Sequence, residues 1–130
     1  MKIGILTYHA VYNFGANLQA LSTFYYLKNN GHEPIIVDFF PEKLEGKFDK
    51  NVPAVQADAH KSFLKKHFVM TNRCRDAEGV AREIVLNNIE AVIIGSDAVI
   101  HVNDTGIHIG FLLRASCHQH ADEKQNQQNS

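Results

Sequence analysis

Two short stretches hold residue types that could do chemistry. The first is Tyr8-His9-Ala10-Val11-Tyr12-Asn13-Phe14-Gly15, which follows the apolar run Ile3-Gly4-Ile5-Leu6. The second is Gly95-Ser96-Asp97, which follows Glu90-Ala91-Val92-Ile93-Ile94. Both runs are apolar enough for strands covered on both faces of a parallel sheet. Open α/β sheets bind ligands at the carboxyl ends of their strands, so both stretches fall where a site belongs. Gly95, Ser96 and Asp97 bring a small residue, a hydroxyl and a carboxylate to one strand tip, which is site-like. The alternative is an ordinary turn in which Ser96 or Asp97 caps the next segment. Asn13 is placed to cap a helix through its side-chain oxygen. Gly15 lets the backbone bend sharply or approach a ligand, and the free N–H groups of that helical turn favour an anion. Gln19, polar near the helix start, either faces this loop or is solvated.

Other chemistries find less support. One glycine stands where the dinucleotide fingerprint G-x-G-x-x-G needs three, so Asp38, at the end of the second strand, lacks the partners of an NAD site. No cofactor is expected. His60 and His67 have no partner at metal spacing and read as surface or half-buried histidines. Cys117, His118 and His120 crowd together without a second ligand pair, so no metal is expected. Cys74 and Cys117 are far apart and outside any CxxC frame, which reads as two free thiols. A formal net charge of -1 gives no reason to expect nucleic acid or an anionic membrane. No run of apolar residues is long enough to span a bilayer, and KIGILTY is too short for a signal-peptide core. A cytoplasmic location is the expectation.

These stretches must be positioned by the rest of one domain, the most that 130 residues provide. The pattern predicts a strand over Lys2–Thr7, a helix from Gly15 to about Asn30 and a strand over Pro34–Asp38, forming a right-handed βαβ unit. Gly31 suits a position just past a helix end. In that helix Ala16, Leu18, Ala20, Leu21, Phe24, Tyr25 and Leu27 make a wide apolar stripe facing the sheet. Gly4 lets the following helix or a ligand come close. Residues 42–57 read as a surface excursion. A helix over Asp58–Phe68, capped by Asp58, and another over Asp76–Asn87, buried through Val80, Ile84 and Val85, lead to a buried third strand ending at Gly95. Ile107, Ile109, Phe111 and Leu113 alternate as a short strand would, and residues 114–130 read as a disordered tail. The fold class is α/β: a Rossmann-like three-layer domain with a mainly parallel sheet. Its edges are apolar, which invites self-association.

The stretch KIGILTYHAVYNFGANLQALSTFYYLKNNGHEPIIVDFFP strongly resembles the N-terminus of the polysaccharide pyruvyl transferase family. FLKKHFVMT (63–71), IEAVIIGSD (89–97) and TGIHIGFL (105–112) resemble later pieces of that family in the same order. The family transfers a pyruvyl group from phosphoenolpyruvate to a hydroxyl pair of a sugar in a cell-surface polysaccharide or its lipid-linked precursor. The resemblance implies a glycosyltransferase-B-like arrangement of two Rossmann-like lobes, of which residues 1–113 would be the first, incomplete one. It places Asn13, Gly15, Gln19, Gly95, Ser96 and Asp97 on the substrate side of the cleft, shaping it rather than doing chemistry. The groups that hold phosphoenolpyruvate are expected in the second lobe, so this chain reads as truncated and inactive alone. After Asp97 the family usually continues with glutamine, valine, tryptophan and asparagine. Here Ala98, Val99, Ile100 and His101 follow, and only the valine is kept. The alternative is a non-catalytic Rossmann-like module that binds a nucleotide or sugar, or pairs with a partner chain.

Overall fold

The computed structural model describes residues 1–44, 46 and 50–95. Strands β1 (Lys2–Leu6), β2 (Glu33–Ile36) and β3 (Ala91–Ile94) combine with helices α1 (Phe14–Asn29), α2 (Ala54–His67) and α3 (Ala77–Leu86) and a 3-10 turn at Glu42–Leu44. Ser96, Asp97, the strand expected near Ile107–Leu113, Cys117 and the tail 114–130 lie outside the described residues, as do 45 and 47–49 of the surface excursion. No helix of the described residues is long and apolar enough to cross a membrane.

The three strands are parallel and ordered β2-β1-β3. Beyond β2, residues 69–74 run alongside as a bridged segment, with parallel bridges Ile36–Met70 and Phe39–Cys74. Ile36 N–H donates to Val69 O (2.8 Å), Thr71 N–H to Ile36 O (2.9 Å) and Cys74 N–H to Asp38 O (2.8 Å). In chain order, counting this segment as a strand, the order is 3-2-1-4, that of the first part of a doubly wound Rossmann sheet. This segment closes the outer edge of β2, one of the edges expected to be open.

Strand side chains alternate between two cores. Ile3, Ile5 and Ile36 pack against Ala20, Phe24 and Leu27 of α1 and Leu64 of α2. Leu6, Ile35 and Val37 pack on the other face against Val80 and Ile84 of α3, with Cys74 and Ile89. The chain first steps outward from β1 to β2 and the bridged segment, then returns past β1 to β3. Crossovers of one hand that run in opposite directions must lie on opposite faces, which is how α1 and α2 are separated from α3. Gly4 serves the α3 face: a Cβ there would stand 3.1 Å from Ile89 Cγ2 and 3.2 Å from Val37 Cγ2. The close neighbours are those two side chains, not α1.

Gly31 ends α1 as its type predicts, with φ at +81°. Its N–H donates to Lys28 O (3.3 Å) and that of His32 to Leu27 O (3.1 Å), so two carbonyls of the last turn are satisfied. Other expectations need correction. Helix α2 begins at Ala54, not Asp58: Pro53, at φ -58°, offers its carbonyl to the N–H groups of Gln56 and Ala57, and Asp58 lies exposed a turn later. Leu18 and Tyr25 do not belong to the buried stripe of α1; Asn17, Ala20, Phe24 and Leu27 form it. Val85 stays half exposed while Glu83 is buried, because the Glu83 carboxylate accepts hydrogen bonds from the Asn72 N–H and from the Asn72 and Asn87 side-chain amides. Strand β3 is only partly buried, since α1 packs over β1 and β2 and leaves Ile93 37% exposed.

Candidate functional site

The chain reverses direction between β1 and β3, so the crevice at the carboxyl ends of these two strands is the topological switch point, the usual ligand position in such sheets. The strand pair is short and its end is well fixed. Leu6 lies opposite Ile94, and Gly95 N–H donates to Leu6 O at 2.9 Å. Helix α1 contributes from above, where Gln19 Nε2 donates to Gly95 O. A Cβ on Gly95 would stand 3.0 Å from Thr7 Oγ1 and 3.1 Å from Thr7 Cβ, so glycine is what lets the two strand tips approach. Thr7 is buried, and its hydroxyl has no hydrogen-bond partner among the described residues.

The residues singled out in the sequence therefore separate. Gln19 and Gly95 meet at the crevice. Asn13 caps α1, with Oδ1 accepting from Ala16 N–H at 3.1 Å. A Cβ on Gly15 would come 3.3 Å from that oxygen, so Gly15 leaves room for the cap in an exposed first turn. Asn13 thus has its side-chain oxygen committed to the helix. Ser96 and Asp97 continue from Gly95 outside the described residues.

Behind the crevice lies a polar cluster that sequence reading missed. His9 is fully buried, with Nε2 2.8 Å from Asp38 Oδ1 and Nδ1 3.1 Å from Thr7 O. Arg73 Nε donates to Asp38 Oδ2 at 3.1 Å, and Thr71 Oγ1 accepts from Asp38 N–H at 3.0 Å. Burial raises the Asp38 pKa, but hydrogen bonds and charge from His9 and then Arg73 outweigh it, and the carboxyl titrates below its ordinary value. Asp38 is accordingly ionised at neutral pH and engaged on both oxygens, by His9 and by Arg73. The cluster ties the loop after β1 to the end of β2 and to the bridged segment. A histidine and an acid leaving two neighbouring strand tips was the signal the sequence held. Nearby, Cys74 is buried and its thiol is pushed up to about 11, first by burial and then by the Glu83 carboxylate.

At the crevice itself, Gln19 and the Gly95 backbone are neutral hydrogen-bonding groups, with the Thr7 hydroxyl buried beneath them. They suit recognition of a hydroxyl-bearing ligand and carry no proton-transfer group. Among the described residues no three His, Cys, Asp or Glu side chains converge as a metal would require. Compared with protein-family models, with curated proteins and with solved structures, the chain matches none.

Proposed function

We propose that the described domain is the first lobe of a polysaccharide pyruvyl transferase-like enzyme, glycosyltransferase-B-like in plan, and that its β1–β3 crevice shapes the sugar-acceptor side of the cleft. The observation that carries this reading is the meeting of Gln19 with Gly95 across the switch point. It joins the NFGANLQA stretch to the start of the GSD stretch, the two pieces on which the family resemblance chiefly rests. Forming the ketal requires an acid to protonate the enolpyruvyl carbon and cations to hold the phosphate and carboxylate. The described groups at the crevice are neutral, and Arg73 lies on the far side of β1, engaged by Asp38. The described part of the crevice thus suits acceptor positioning.

The test is to incubate the purified chain with phosphoenolpyruvate and a galactoside or N-acetylmannosamine acceptor. The expected result is no phosphate release, with acceptor-induced NMR shifts at Gln19 and Gly95. Turnover by this chain alone, or acceptor shifts confined to other residues, would overturn the assignment. A second reading, a nucleotide-binding module, draws support from the 3-2-1-4 order shared with mononucleotide-binding halves. Submicromolar binding of a free nucleotide in calorimetry would favour it.

A further inference from the structure

The loop after β1, the first turns of α1 and the Gln56–Phe63 stretch of α2 line an open cavity of about 410 Å³. That volume falls within the roughly 300–1,000 Å³ range of small-molecule sites. It is separate from the β1–β3 crevice. Gln19 reaches β3, whereas Asn17 lines the cavity, and two residues of α-helix turn about 200°. Tyr12, Phe14, Leu18 and Phe63 supply apolar walls, and among the described residues no lysine or arginine lines it. Phe14 is 79% exposed and Leu18 46%, a large apolar cost at the mouth of a small domain.

Asn17, Gln56 and His60 supply its polar lining, and His60 gives the cavity a direction. His60 Nε2 is 3.2 Å from His9 O and 3.3 Å from Asn17 Oδ1. Asn17 Nδ2 is turned to Val11 O, so both neighbours of His60 Nε2 are acceptors and Nε2 carries the proton. Nδ1 is then a lone-pair acceptor with no partner among the described residues. Burial lowers the His60 pKa, outweighing the hydrogen bond to the His9 carbonyl that raises it, and keeps the ring neutral near pH 7. The Tyr12 ring packs against it, centroids 5.0 Å apart. With its lining side chains neutral and an acceptor at His60, the site offers no charge to pair with an anion and suits a neutral donor. Aromatic walls favour a flat ring, since ring–ring contacts add to what area burial alone contributes.

We propose that this cavity binds an uncharged planar aromatic group bearing an N–H or O–H donor, with the ring among Tyr12, Phe14 and Phe63 and the donor bonded to His60 Nδ1. The test uses the full chain and two probes, indole and 1-methylindole, followed by ligand-observed NMR titration. Indole binds, and 1-methylindole, which has lost the donor, binds about fivefold more weakly, the worth of one neutral hydrogen bond. Ala59 is exposed on α2 and lines the cavity, so Ala59→Trp fills it without disturbing the core. That variant keeps the melting temperature and loses indole binding. Absence of indole binding, equal affinity for the two probes, or full binding by folded Ala59→Trp would each overturn the proposal. None of these readouts depends on pyruvyl transfer, so this proposal and the proposed function fail separately.

Discussion

His9 Nε2 lies 2.8 Å from Asp38 Oδ1, joining residues 29 positions apart at the tips of two neighbouring strands. Both are buried, and the pair holds the loop after β1 against the end of β2. Because the folded-state pKa of Asp38 is lowered, its contribution is complete above the ordinary carboxyl value of 3.8 and is lost as pH falls below that through the folded value. Asp38→Asn should cost roughly 2 kcal/mol at pH 7, the scale of a hydrogen bond to a charged group. It should also flatten the acid limb of stability. Urea unfolding from pH 7 down to the acid limit checks both; an unchanged acid limb would mean that other groups set it.

His60 acts in a different window with the same sign, and here burial drives the shift instead of opposing it. Its folded pKa is lowered, so the unfolded chain takes up a proton first as pH falls below 6.5. Stability therefore drops between 6.5 and the lower folded value, and no further from this group below that. His60→Gln keeps a side-chain donor for His9 O and Asn17 Oδ1 and should abolish this mildly acidic step. Comparing melting temperatures of the two proteins through that interval separates it from the Asp38 limb.

Gly31, at φ +81°, has nothing within 4 Å of where a Cβ would be. Gly31→Ala should therefore cost only the backbone conformational preference, about 1 kcal/mol. Chemical denaturation should show a lower midpoint at an unchanged slope. A larger loss would mean that the end of α1 is packed more tightly than its open surroundings indicate.

What the sequence made legible was local. Asn13 and Gly31 bracket α1 by side-chain chemistry and backbone freedom, and neither depends on the rest of the chain. Apolar residues occur all round α1, so spacing alone could not choose between Leu18 and Ala20 for the buried line. The β3 run looks the same whether one face is covered or both, and only the placement of α1 over β2 decides it. The segment 69–74 contributes two isolated bridges, too few for an alternation to register. Burial of His9 and Glu83 is set by distant partners, Asp38 and Asn72, and a polar residue gives no periodic sign of that. At the candidate site, Gln19 and Gly95 were visible as a polar helix residue and a strand-end glycine. Their contact across 76 positions had to come from the strand order.

That contact frames the last prediction. Thr7 Oγ1 is buried beside Gly95 without a hydrogen-bond partner among the described residues. An unsatisfied hydroxyl destabilises the fold by its desolvation cost, and valine has nearly the same shape without that cost. Thr7→Val should therefore stabilise the unliganded chain, by about 1 kcal/mol. Gly95→Ala should do the reverse, since its Cβ would meet Thr7 at 3.0–3.1 Å and force the strand tips apart. The hydroxyl lies buried beneath the strand tips, out of reach of a ligand, so Thr7→Val should gain stability and leave acceptor affinity unchanged. Thermal unfolding and acceptor titration on the same variant read the two effects independently. A Thr7→Val protein that is less stable than the parent would mean that the hydroxyl is satisfied within the fold.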